Sequence, residues 1–291
     1  MDMNLFNTKV GLALGGGGAK GVAHIGVLKA LEEANVQIDY LAGTSVGAMV
    51  ASLYAFNIDI DAINNLARRL TISDITTFKL SKTGFFTTEL LRELLIEYVG
   101  DVSIEDASIP LAITATDINT GEAVIFRQGP LVDAVCASAS IPGIYIPMNL
   151  NGRTLVDGGL VQNVPVQPVK DMGAGVVIAS HLSSVDSYEE PENVLDVMRN
   201  AFEIAVSQHT KGEVDMADLL IAMDLSDFSL RDNTERHDEL FAIGYESATK
   251  QLSKFAWYGK RNIFLYLWRI ILSLNPFKLP EVVKGGYKEK G

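Results

Sequence analysis

The stretch Ile38-Asp39-Tyr40-Leu41-Ala42-Gly43-Thr44-Ser45-Val46-Gly47-Ala48-Met49-Val50 constrains the fold more than any other. A short apolar run passes through Gly-x-Ser-x-Gly into a second apolar run, the pattern of a strand turning sharply into a helix. Gly43 and Gly47 carry no Cβ, so the strand can turn and the helix can pack close beneath it. Ser45 then stands at the end of a strand and at a helix N-terminus, where unpaired N–H groups favour developing negative charge. Read as chemistry, this is a nucleophile elbow with Ser45 at its tip. Read as structure alone, it is a glycine-rich strand-to-helix turn.

Upstream, residues 9–14 read as a buried strand that runs into Gly15-Gly16-Gly17-Gly18-Ala19-Lys20-Gly21. A helix is expected over 22–34, with Val22, Ile25, Leu28 and Leu31 at helical spacing. The order strand, glycine loop, helix, strand, elbow, helix is that of a wound α/β fold. Successive glycines let backbone N–H groups converge on one point, an arrangement that can hold an anionic oxygen. Gly16-x-Gly18-x-x-Gly21 also satisfies the dinucleotide fingerprint, with Asp39 about where a ribose-binding acid is expected. Against a dinucleotide cradle, Asp39 is followed at once by the strand entering Gly43-Thr44-Ser45, so an oxyanion loop is the preferred reading. A Walker phosphate loop is excluded, because no Gly-Lys-Ser/Thr follows at the required spacing. Lys20 either draws an anionic head group or is a solvated residue at the helix start.

Further along, a helix is expected over 59–70 with Ile60, Ile63, Leu66 and Ala67 on one face. Gly84 before Phe85-Phe86 points to a mobile apolar loop, either a lid or acyl-chain wall or ordinary packing. Thr87 or Thr88 caps a helix with the stripe Leu90, Leu91, Leu94, Leu95 and Tyr98. Residues 111–117 and 123–126 read as a hairpin around Asn119-Thr120-Gly121, and Pro130 opens a helix to 137. Next, Thr154-Leu155-Val156-Asp157-Gly158-Gly159 closes a short strand with an acid whose carboxylate can reach a pocket unobstructed; the alternative is a plain Asp-Gly turn. Strands over 176–181 and 219–223 and helices over 194–210 and 237–255 complete the layers.

The 291 residues hold 24 Lys and Arg against 36 Asp and Glu, a net charge of −12 that argues against general binding to nucleic acid. From Ser253 onward the balance reverses, with eight Lys or Arg and two Glu among the aromatic and aliphatic residues of 255–272. That composition suits an interfacial helix near anionic lipid head groups, or a helix docked on protein. The lone Cys136 cannot form an intramolecular disulfide and reads as an inert core residue. No run reaches the 18 to 20 or so apolar residues of a membrane span. The expectation is a cytoplasmic protein, peripheral on the inner face of a membrane if its tail binds lipid.

Taken in order, Gly16-Gly17-Gly18-Ala19-Lys20-Gly21, Gly43-Thr44-Ser45-Val46-Gly47 and Asp157-Gly158-Gly159 resemble the patatin-like phospholipase family, in particular its bacterial members. The stretches 137–142 and Asn163-Val164-Pro165-Val166 are similar to that family too, and the resemblance covers about 9–181. It implies a three-layer α/β/α fold with a mostly parallel sheet. It also implies a Ser45–Asp157 dyad, an oxyanion hole of backbone N–H groups at Gly16, Gly17 and Gly18, a lipid ester as substrate, and neither metal nor cofactor. The domain division that goes with it is an acyl hydrolase domain over 1–252 and a basic, aromatic segment over 253–291. A Ser-Asp-His triad using His181 competes with the dyad, since His181, His209 and His237 all follow Asp157. His24 reads as structural. The competing functions are an idle lipid-binding or regulatory adaptor of the same fold and a dinucleotide-binding enzyme.

Overall fold

A computed structural model describes residues 8–71, 74–183, 188, 190–228 and 235–254. In chain order, β1 (Val10–Leu14) leads through the glycine loop and a 3-10 turn (Gly18–Gly21) to α1 (Val22–Glu33), and β2 (Tyr40–Thr44) leads to α2 (Val46–Ala55). Then come α3 (Ile60–Arg69), β3 (Thr77–Phe78), β4 (Phe86–Thr87), α4 (Glu89–Val99), β5 (Leu111–Asp117), β6 (Glu122–Phe126) and α5 (Leu131–Ser138). The rest is β7 (Met148–Leu150), β8 (Arg153–Asp157), α6 (Val166–Asp171), β9 (Val176–Ser183), α7 (Val194–Val214), β10 (Leu219–Asp224) and α8 (237–254).

The main sheet runs β10-β9-β1-β2-β5-β8-β7, with β6 paired to β5 as well. Strands β10, β9, β1, β2 and β5 are parallel neighbours, and β6, β7 and β8 pair antiparallel. Ala13, Ala42, Ala112 and Ala179 form one register row across four strands, and α6 packs Val166 and Val169 on that face. Small side chains there let the helix sit close; a Cβ on Gly11 would meet Val169 Cγ1 at 1.9 Å. Leu12, Leu41, Leu111 and Ile178 form the adjacent row, whose side chains point to the other face. Gly43, on that face, meets α2, so helices cover the sheet on both sides.

One detail of the register positions the site. Strand β2 pairs with β5 along Leu111–Thr114, and β8 pairs with β5 along Ala115–Asp117, while β6 occupies the opposite edge of β5. Because β8 runs antiparallel, its carboxyl end and that of β2 meet head to head on one edge of β5. Thr44 therefore faces Thr114, and Asp157 faces the next residue, Ala115.

One expectation is changed by the structure. The stretch read as a mobile apolar loop is a small hairpin, β3 on β4, stitched to the segment 144–146. Phe85 N–H donates to Ile144 O at 2.9 Å, Ile146 N–H donates to Phe86 O at 2.8 Å, and Gly84 lies so close to Tyr145 that a Cβ would fall 2.5 Å from its carbonyl. Asp39, weighed above as a ribose-binding acid and set aside, has a structural place. It precedes β2, where its carboxylate accepts from the Val10 N–H at 2.8 Å and from Lys9 Nζ at 2.6 Å. It clips the amino ends of two strands together, at the opposite end of β1 from the glycine loop.

Residues up to Gln251 form one compact unit, and a second begins at Leu252. The basic, aromatic segment expected at 253–291 lies outside the described residues except for 253–254. Among the described residues, no helix is long and apolar enough to cross a membrane.

Candidate active site

Ser45 occupies φ +54°, ψ −124°, at the N-cap of α2. A side chain other than glycine's in such a conformation carries on the order of 1–3 kcal/mol of strain, which the surroundings must hold in place. They do so by close approach. A Cβ on Gly43 would lie 2.4 Å from Gly47 O, and one on Gly47 would lie 2.2 Å from Leu14 O. The Ser45 N–H donates to Ser138 Oγ at 2.8 Å, and the Ser138 hydroxyl donates onward to Thr114 O at 2.6 Å. The elbow is thereby tied to α5 and β5 as well as to its own helix.

Asp157 reaches Ser45 through the shared edge of β5. Its N–H donates to Ser140 O at 2.8 Å, and its carbonyl accepts from Thr116 Oγ1 at 2.9 Å, so the backbone on both sides of the carboxyl is fixed. The carboxylate accepts from the Gly159 N–H at 2.8 Å, and the Ser45 hydroxyl is near enough to lower its pKa. Only 1% of the residue is exposed. Burial pushes its pKa up from 3.8 to about 7, against the Ser45 hydroxyl and the Gly159 N–H, which lower it. A carboxylate of that basicity beside a hydroxyl on a strained turn can remove the hydroxyl proton near neutral pH.

The glycine loop passes beside Ser45, with the position of a Gly16 Cβ 3.4 Å from Ser45 Cβ. The three glycines expected to form an oxyanion hole differ in what their N–H groups meet. Gly16 donates to Asn163 through both the backbone O at 3.2 Å and Oδ1 at 3.1 Å. Among the described residues, the N–H groups of Gly17 and Gly18 meet no acceptor within the chain. Asn163 is itself clamped: its N–H and that of Val164 donate to the two oxygens of Glu213 at 3.1 and 2.7 Å, and its Nδ2 donates to Thr210 Oγ1 at 3.2 Å. Burial raises the pKa of Glu213, while the two N–H donors lower it. Helix α7 thus braces the glycine loop through Asn163. Sequence reading missed Thr210, Glu213 and Ser138 as parts of this frame.

Among the described residues, Ser45 and Asp157 have no hydrogen bond to a histidine. The buried Nδ1 of His181 has no partner, and burial pushes the His181 pKa down to about 4. His24 bonds Ser180 Oγ and Gly15 O, both at 2.8 Å, in a structural role. His237 bonds Asn64 Oδ1 at 2.7 Å, and His209 lies exposed on α7. Burial carries the Cys136 thiol up to about 11, which leaves it an inert core group. Lys20 lies in the 3-10 turn after Gly18. An apolar side chain borders Asp157: Phe202 Cζ is 3.4 Å from the position of a Gly159 Cβ, which itself would lie 3.1 Å from Asp157 Oδ1. Burial, and secondarily the charge of Asp157, push the Tyr145 hydroxyl up to about 12. Among the described residues, no cluster of His, Cys, Asp and Glu could hold a metal ion.

A family model described as patatin-like phospholipase matches residues 12–170. The chain is 37% identical over 182 residues to an uncharacterized NTE family protein of Mycobacterium tuberculosis, an alignment that covers 62% of this chain and 50% of that one. It is 34% identical over 199 residues to the lysophospholipase NTE1 of Yarrowia lipolytica, covering 66% of this chain and 14% of that one. The crystal structure of VipD from Legionella pneumophila aligns with a TM-score of 0.49 at 15% identity, over 85% of this chain and 67% of that one. The chain spans about half the length of the mycobacterial relatives and a small fraction of the fungal one.

Proposed function

The chain belongs to the patatin-like phospholipase family, and from that premise we propose that it is a serine acyl hydrolase that cleaves ester bonds of phospholipids or lysophospholipids through a Ser45–Asp157 dyad. The observation that carries this reading is a single juxtaposition. A fully buried carboxyl with its pKa raised to about 7 lies beside a serine hydroxyl held on a strained strand-to-helix turn.

In this scheme Asp157 takes the Ser45 Oγ proton as the oxygen attacks the ester carbonyl carbon. The negative charge moves to the carbonyl oxygen, where the N–H groups of Gly17 and Gly18 receive it; losing one such donor typically costs about 3–4 kcal/mol. The Gly16 N–H, held by Asn163, fixes the loop. Collapse of the tetrahedral intermediate breaks the ester bond, and Asp157 returns its proton to the departing alcohol oxygen. Water, deprotonated by the same carboxylate, then attacks the acyl-Ser45 carbonyl; the C–Oγ bond breaks, Asp157 returns the proton to Ser45 Oγ, and the fatty acid leaves. The acyl chain lies along Phe202 and Tyr145. The name of the Yarrowia relative supports a lysophospholipid among the substrates. The catalytic domain is assigned to 1–252 and a separate basic segment to 253–291.

The test is acyl release from a short-chain chromogenic ester and from phospholipid and lysophospholipid dispersions, comparing the wild type with Ser45→Ala, Asp157→Asn and His181→Ala. The dyad requires loss of activity in the first two and near wild-type rates in the third. Unchanged turnover in Ser45→Ala would remove the nucleophile assignment.

A further inference from the structure

The β3–β4 hairpin carries a set of side chains that neither the fold nor the dyad uses. Its tip, 78–83, exposes two large apolar residues, Phe78 at 66% and Leu80 at 75%, among the highest exposures of any large apolar side chain described. Lys79 and Lys82 flank Leu80, both exposed. Among the described residues, neither ammonium pairs with a carboxylate. On a chain of net charge −12, two unpaired cations interleaved with two exposed apolar side chains on one short turn are a local reversal of both charge and polarity.

The base of the hairpin holds that tip in a fixed place. Phe78 rests edge-on against Phe86 with ring centroids 5.9 Å apart, and Phe86 leans on Tyr145 at 6.3 Å. Backbone hydrogen bonds join 85 and 86 to 144 and 146, and Tyr145 feels the charge of Asp157. The hairpin therefore stands on the segment that borders the candidate site. Another exposed apolar pair, Val194 and Val197 at the start of α7, sits beside Glu190, Glu192 and Asp196 and lacks this charge.

We propose that the 78–83 tip is a docking surface for an anionic lipid bilayer, with Phe78 and Leu80 entering the head-group region and Lys79 and Lys82 meeting lipid phosphates. The proposal rests on the reading of this protein as a lipid ester hydrolase. Apolar side chains beside lysines are the composition that favours interfacial binding, and each lysine near an anionic surface is worth about 1 kcal/mol, roughly fivefold in affinity. Docking here brings the segment 144–146, and with it the site, to the bilayer that holds the substrate.

The experiment measures co-sedimentation of the full chain with vesicles of ether-linked phosphatidylcholine, with and without ether-linked phosphatidylglycerol, lipids whose linkages the enzyme does not cleave. In parallel it follows hydrolysis of a soluble short-chain ester. Lys79→Glu/Lys82→Glu leaves the Phe78–Phe86 contact alone and is expected to weaken binding to the anionic vesicles more than tenfold. Leu80→Ser is expected to weaken it severalfold, with soluble-ester turnover unchanged in both variants. Anionic-vesicle binding that survives both variants overturns the proposal and assigns docking to 255–291. Equal binding of the wild type to neutral and anionic vesicles, or none to either, also overturns it. So does a variant that changes the oligomeric state by light scattering but not vesicle binding. Loss of soluble-ester hydrolysis in the wild type is a failure of the hydrolase reading instead.

Discussion

Replacing Asp157 by Asn separates catalysis from stability. The carboxyl is buried, with its pKa raised from 3.8 to about 7, so between those values the unfolded chain gives up a proton that the folded chain keeps. Below about pH 4 both states hold the proton, and the stability associated with the neutral buried carboxyl is fully present. As the pH rises through about 7 that stability is lost, and the loss is complete above it. A displacement from 3.8 to about 7, at about 1.4 kcal/mol per pH unit, amounts to about 4 kcal/mol. Asn keeps an acceptor for the Gly159 N–H and has no ionised form, so Asp157→Asn removes the penalty. Urea unfolding of wild type and variant should show the variant ahead by about 2–4 kcal/mol at about pH 8, with most of that gap closed by about pH 4.5. A gain that does not change with pH, or a loss of stability at pH 8, would refute the burial argument for Asp157 as a high-pKa base.

The same pKa predicts kcat/KM on a soluble ester that falls about tenfold per pH unit below about 7 and levels off above it, readable from a pH–rate profile. Glu213→Ala strips two buried N–H groups of their acceptor, so stability should drop by about 2–4 kcal/mol in denaturant titration. Glu213→Gln should recover part of that loss, with kcat lowered more than KM is raised if the Asn163 brace positions the glycine loop. Gly47→Ala places a methyl 2.2 Å from Leu14 O, and the elbow must shift to admit it; circular dichroism melting and esterase activity should both fall well below wild type.

The elbow, the glycine loop and the Asp-Gly-Gly turn were legible in the sequence because each is a local steric statement: a glycine where a Cβ has no room, an acid closing a strand. The central strand 111–117 was legible for a related reason, since Leu111, Ala112, Ile113 and Ala115 give it an apolar core that matches its complete burial. What brings Ser45 to Asp157 was not legible. It depends on β8 continuing the edge of β5 where β2 stops, a register between segments over 100 residues apart that local periodicity does not report. Glu213 looks like any helix acid; only the fold shows it turned inward onto Asn163, 50 residues away. The Gly84-Phe85-Phe86 stretch misled for the opposite reason, because glycine beside aromatics signals flexibility until a partner strand supplies its hydrogen bonds, as 144–146 does here. Asp39 lay near the spacing of a ribose-binding acid, yet its position before β2 puts it at the wrong end of the sheet.

The central claim is that Ser45 carries the acyl group and that Asp157 alone activates it. Intact mass and peptide mapping after exposure to a fluorophosphonate or a slowly turned-over ester tests it directly. One adduct on Ser45, absent in Ser45→Ala, much slowed in Asp157→Asn and formed at the wild-type rate in His181→Ala, is the predicted result. An adduct on another residue, or labelling of Ser45 that depends on His181, would contradict the account.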